Sequence, residues 1–228
     1  MSGELSHHGD TTTNMYIDQG AETKEALEIS EKSRILARKK VGNENTEDRI
    51  RQRCSIAVGD FGMAELMRFC HSPIPAALTA LRQGAPIFTD IRMVQVGIQK
   101  KGHTSEVLSA LDFGAEIARE REITRSSAGF IALGEKLEGS IVVIGNAPSA
   151  LLSLCEMIKN GIRPAIIIGT PVGFVNAAES KELLRTLDIA SISTKGTRGG
   201  TPVAVAAMNE CITIFIEGPV DERPGYRL

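Results

Sequence analysis

The stretch Ile141-Val142-Val143-Ile144-Gly145-Asn146-Ala147-Pro148-Ser149 decides the fold. Four consecutive branched aliphatics leave no face for water, as expected of a parallel strand covered on both sides. Gly145 and Asn146 favour a tight turn, and Pro148 suits the first turn of a helix, where its missing N–H costs nothing. The same pattern of strand, turn and helix recurs along the chain. Apolar runs at 86–89, 107–111, 141–144, 165–168 and 189–193 predict five strands. Helical segments are predicted near 113–121, 126–137, 148–160, 177–187 and 201–209. Such alternation gives a three-layer α/β/α, doubly wound and mainly parallel sheet of about five strands.

Ahead of the sheet, the front third reads as helical. Good helix formers run over 23–41, with Ala26, Leu27, Ile29, Ile35 and Leu36 on one stripe, and Gly42-Asn43 stops them. A second helix is expected from Thr46, whose hydroxyl would cap it ahead of Glu47 and Asp48. Segments 61–69 and 74–81 predict two more, separated by His71-Ser72-Pro73. Residues 1–20 are polar and read as a flexible arm, with His7-His8 part of it; 21–217 reads as one domain and 218–228 as a tail.

Composition excludes several classes of function. Among 228 residues, 26 Lys and Arg against 28 Asp and Glu leave a net charge of −2, which argues against nucleic acid as a partner. No apolar run approaches the ~20 residues of a membrane span, and residues 1–14 lack the apolar stretch of a signal peptide. Cys54, Cys70, Cys155 and Cys211 are scattered, without a C-x-x-C pair. Reduced thiols in a cytoplasmic protein, with no metal site, are the expectation.

Ligands of open parallel sheets bind beyond the carboxyl ends of the strands. The five predicted strands are followed there by Thr89-Asp90-Ile91-Arg92-Met93, Asp112-Phe113-Gly114, Gly145 to Ser149, Gly169 to Phe174, and Lys195 to Thr201. Glycines, small hydroxyls, an amide and arginines therefore gather at one edge. Helix N-termini together with Arg92, Arg125 and Arg198 suit carboxylates or phosphates. Arg92 and Arg125 have a second reading as structural ion-pair partners. There is no Walker A loop and no G-x-G-x-x-G after the first strand. Cys54 and Cys70 read as structural thiols, His71 as a helix-entry residue and His103 as part of a solvated loop.

The segments Thr89-Asp90-Ile91-Arg92-Met93-Val94, Gly145-Asn146-Ala147-Pro148-Ser149-Ala150-Leu151, Pro171-Val172-Gly173-Phe174-Val175 with Glu179-Ser180-Lys181, and Arg198-Gly199-Gly200-Thr201 resemble the precorrin-8X methylmutases. Thr124-Arg125-Ser126 is a further match, and the likeness runs from about Ile29 to Cys211. It implies a flavodoxin-like fold, a homodimer and a role in the corrin stage of cobalamin biosynthesis. The implied reaction moves a methyl group from ring carbon 11 to ring carbon 12, giving hydrogenobyrinic acid or its cobalt form. No separate cofactor is implied, since cobalt, where present, belongs to the substrate. The implied partner is an anionic tetrapyrrole, precorrin-8 or cobalt-precorrin-8. Its contacts fall on Ser33, Thr89, Asp90, Arg92, Arg125, Ser126, Asn146, Ser149, Val172, Gly173, Phe174, Arg198, Gly199 and Gly200.

Two positions depart from the family's pattern. A histidine that assists the shift by protonating a ring nitrogen belongs to a motif [VI]-H-T-x-x-D-[FY]. Anchored on Asp60-Phe61, its place is taken by Ile56. An N-terminal Ser-Phe pair appears as Ser33-Arg34. His71, shortly after the motif, is the substitute acid to test.

Overall fold

Ile141, Val142, Val143 and Ile144 are all fully buried, and the strand pleat sends them alternately into two cores. Ile141 and Val143 join Ile87, Ile166, Ile168 and Ile192 in one core. Val142 and Ile144 join Phe88 and Ile167 in the other. The computed structural model describes residues 23–218, so the arm expected over 1–20, His7-His8 included, and the tail after Gly218 lie outside the described residues.

In chain order the elements are α1 (Lys24–Val41), α2 (Thr46–Val58), α3 (Gly62–Leu66), β1 (Met67–Cys70), α4 (Pro73–Arg82), β2 (Ile87–Thr89), α5 (Arg92–Gly97) and β3 (Val107–Ser109). There follow α6 (Ala115–Glu120), α7 (Arg125–Leu133), β4 (Ile141–Ile144), α8 (Pro148–Lys159), β5 (Ile166–Gly169), α9 (Ala177–Arg185), β6 (Ser191–Thr194) and α10 (Thr201–Glu217). The strands form one sheet in the order β1-β6-β5-β4-β2-β3. All neighbours are parallel except β1, which runs antiparallel to β6. The five parallel strands follow the flavodoxin-like order, and the chain reverses direction across the sheet between β2 and β4. Residues of α2, α4, α5 and α10 pack on one face. The other face carries α7, α8 and α9. The expected three layers are present.

Several expectations change. The sheet of the described residues has six strands, because the helix predicted over 61–69 stops at Leu66 and Met67–Cys70 pairs with β6. Pairing with a buried edge outweighs local helix preference there. Asn45, rather than Thr46, caps α2: its Oδ1 accepts the Asp48 N–H at 2.9 Å. The last helix runs on to Glu217, since Cys211, Ile212 and Ile214 extend its buried stripe. In α1 only Ala37 is buried, while Ile29, Ile35 and Leu36 stand more than half exposed. The apolar stripe of α1 thus lies on the surface of the chain.

Candidate functional site

Because β2 to β6 are parallel, the turns after them leave one edge of the sheet. At its centre, across the reversal point, sits Asp90, fully buried. Its Oδ1 accepts the Gly145 N–H at 3.2 Å, and its Oδ2 accepts those of Asn146 and Ala147, each at 2.8 Å. The turn entering α8, predicted to offer amides to a ligand anion, therefore already holds the protein's own carboxylate. Burial pushes the Asp90 carboxyl upward against the pull of these three donors. Ser126 Oγ donates to the Asp90 carbonyl at 2.9 Å, and the buried Thr89 hydroxyl donates to the Leu108 carbonyl at 3.1 Å. Thr89, Asp90 and Ser126 thus build the edge, with these polar atoms spent on its turns.

The arginines project further out. Arg92, at the start of α5, pairs with Asp112 in the turn after β3. Arg125 Nη2 donates to the Leu111 carbonyl of that same turn at 2.9 Å. Arg198 pairs with Asp60, whose carboxyl is held below the usual range by the guanidinium and by the Gly62 N–H. Arg92 and Arg198 keep side-chain exposures of 62% and 52%, so each can meet a further anion. Thr124 and Ser149 hydroxyls lie 2.9 Å apart and tie α7 to α8, with Asn146 exposed beside them.

The turns after β5 and β6 interlock. Gly173 N–H donates to the Thr197 carbonyl at 3.1 Å, and Gly200 N–H to the Thr170 carbonyl at 2.7 Å. A Cβ on Gly199 would stand 2.2 Å from the Thr170 carbonyl oxygen, so only glycine fits. Above this junction Val172, Phe174 and Val175 face solvent, Phe174 almost completely. Met93, next to Arg92, is exposed too. Cations and uncovered apolar side chains share one rim.

The end of α2 reaches the same edge. Cys54 Sγ meets the Val203 carbonyl of the first turn of α10 at 3.6 Å, and Asp60 binds Arg198. Half-buried Ile56 lies one helical turn before Asp60. Half-buried Ser33 lies on α1, the helix joined to α2 by a short turn and packed on it. Burial drives the Cys54 thiol far above its ordinary range, in keeping with a structural role. His71 goes elsewhere. Cys70 pairs with Ser191 at the start of β6, so His71 follows at the opposite edge, with Nδ1 3.2 Å from Asp188. The antiparallel run of β1 thus carries His71, the expected substitute acid, away from the edge where the other candidate residues gather. His103 is half-buried rather than solvated, with Nε2 2.7 Å from the Gln99 carbonyl.

Lys181, present in the sequence only as part of the Glu179-Ser180-Lys181 motif and given no role there, is a further candidate. Lys181 is fully buried, and its Nζ lies 2.8 Å from the Arg198 carbonyl. A signal existed: Ala177, Ser180, Lys181 and Leu184 follow the i, i+3, i+4, i+7 spacing of a buried helix face, and all four are buried. Among the described residues, no cluster of His, Cys, Asp and Glu is arranged to hold a metal ion, and no helix is long and apolar enough to cross a membrane.

Comparison with known proteins gives the arrangement its context. Residues 28–214 match the family model of precorrin-8X methylmutase. A cobalt-precorrin-8 methylmutase of Methanocaldococcus jannaschii is 38% identical over 205 residues, covering 85% of this chain and 96% of that one. A cobalamin biosynthesis protein of Archaeoglobus fulgidus is 37% identical over 200 residues, covering 88% of this chain; the chain spans 42% of that protein's length. The crystal structure of a precorrin-8X methylmutase from Thermus thermophilus superimposes with a TM-score of 0.78 at 34% identity, over 84% of this chain and 97% of that one. The chain belongs to the precorrin-8X methylmutase family, isomerases of cobalamin biosynthesis.

Proposed function

We propose that this protein moves a methyl group from ring carbon 11 to ring carbon 12 of precorrin-8 or cobalt-precorrin-8, giving hydrogenobyrinic acid or its cobalt form. The observation that carries this reading is the rim of Arg92, Arg125 and Arg198 together with exposed Met93, Val172, Phe174 and Val175. An apolar macrocycle edged with acetates and propionates needs that combination. With the α8 entry turn occupied by Asp90, the arginines become the carboxylate clamps, each contributing about 1.5–3 kcal/mol. The shift is a rearrangement within one molecule: the bond to carbon 11 breaks as the bond to carbon 12 forms, and no electrons are gained or lost. Holding the ring in a reactive shape is the chief task of such a site. Cobalt, where present, enters with the substrate.

The test is to incubate the purified protein with precorrin-8 or its cobalt form and follow the absorbance of the corrin chromophore. Conversion above the protein-free rate is expected. No conversion alongside a working relative would overturn catalysis. Ile56 favours a second reading, a corrinoid-binding homologue that turns over slowly or not at all, because a hydrocarbon donates no proton. Tight binding of hydrogenobyrinic acid without conversion would select it. A homodimer fits the exposed apolar stripe of α1, and free, largely buried thiols fit a reducing cytoplasm.

A further inference from the structure

The turn carrying Arg198, Gly199 and Gly200 is held from beneath by a charged side chain. Lys181 rises from α9 and is fully buried. The oxygens it meets are neutral: Thr194 Oγ1 at 3.0 Å and the Arg198 carbonyl at 2.8 Å. Thr194, the last residue of β6, donates its own hydroxyl hydrogen bond to the same carbonyl at 2.6 Å. The Arg198 carbonyl therefore receives two donors, and the next amide but one, Gly200 N–H, is fixed on Thr170 at 2.7 Å. Lys181 and Thr170 together set the peptide planes on either side of Gly199. That fixes where the Arg198 side chain leaves the backbone and where α10 begins.

An ammonium buried against neutral oxygens is costly to fold around. A methionine would fill much the same space at less cost, and a hydroxyl alone would tether the carbonyl. What the lysine adds is a positive charge directly under the anion-binding rim. The charged groups acting on it are Arg185 and Glu182 on its own helix, while the Arg198–Asp60 pair sits on the turn whose backbone carbonyl it holds. Burial and Arg185 push its pKa down to about 8, within reach of a titration.

We propose that Lys181 is a positioning residue for carboxylate recognition: it fixes the Arg198–Gly200 turn and adds its charge beneath the rim that receives an anionic tetrapyrrole. The proposal rests on the corrinoid reading given above. Bound carboxylates favour the charged amine, so binding weakens as pH rises through about 8.

The experiment titrates wild type, Lys181→Met and Lys181→Arg with hydrogenobyrinic acid between pH 6.5 and 9.5, the range being about 1.5 units around the Lys181 value. Circular dichroism and urea midpoints confirm that each variant is folded. Wild type is expected to bind more weakly above pH 8. Lys181→Met is expected to bind at least about tenfold more weakly at pH 7, equal to ~1.4 kcal/mol, and to lose that pH dependence. Lys181→Arg, which keeps the charge, is expected to recover part of the affinity. Hydrogen exchange at the Gly200 amide should quicken in the methionine variant. Wild-type affinity and pH dependence in folded Lys181→Met would overturn the role of Lys181 and leave the corrinoid reading standing. Absence of binding by wild type would overturn the corrinoid reading itself, and this proposal with it.

Discussion

Asp90 shows how much one side chain can decide. Its two carboxylate oxygens gather three amide donors from the turn after β4. Removing them strands one buried and two partly buried N–H groups, so Asp90→Ala is expected to cost about 3 kcal/mol, read as a lowered urea midpoint with an unchanged slope. Ile56 makes the opposite experiment possible. If the missing proton donor limits turnover, Ile56→His should raise kcat by roughly 10²-fold; an unchanged kcat would place the limit elsewhere. Lys181 also makes stability depend on pH. The native pKa of about 8 lies below the ordinary 10.5, so between those values the unfolded chain holds the proton that the native chain has lost. Wild-type stability should therefore rise with pH across that window relative to Lys181→Met, measured by urea midpoints. The carboxylate of Asp90 and the ammonium of Lys181 lay within the quoted motifs. Their partners could not be read there, because those contacts join residues 55 and 17 positions apart.

At the scale of elements, continuously apolar segments were legible and short mixed ones were not. Strands β2 to β6 fall within one or two residues of their predicted bounds. By contrast, Met67-Arg68-Phe69-Cys70 continues a plausible helical pattern and becomes a strand only because β6 offers an edge. The consequence reaches the site: that strand carries His71 away from the carboxyl edge. Elements pack closely at Gly129 in α7, where a Cβ would stand 2.0 Å from the Ala110 carbonyl oxygen. Gly129→Ala should cost about 2 kcal/mol and displace α7, which begins at Arg125. A thermal melt and the affinity for hydrogenobyrinic acid read the two effects separately.

Over the whole molecule, the apolar surface of α1 is a feature that the described residues leave uncovered. Ile29, Ile35 and Leu36 remain exposed on a helix that packs on α2. If a second copy covers them, Leu36→Glu should shift the sedimenting species from dimer to monomer. Its effect on the stability of the isolated chain should stay within about 0.5 kcal/mol, as at an ordinary surface position. A wild-type monomer at micromolar concentration would remove this assignment.

Sequence by itself determined the layers, the parallel strands and the edge at which polar turns collect. Those follow from periodicity and turn chemistry, which act over a few residues. Only the tertiary structure decided what each polar group does once there. It engaged the α8 entry turn with Asp90, paired Arg198 with Asp60, set Lys181 beneath that turn and sent His71 to the far edge. Such outcomes depend on which distant segments become neighbours. Desolvation and charge pairing act through space, and short sequence patterns carry little information about it.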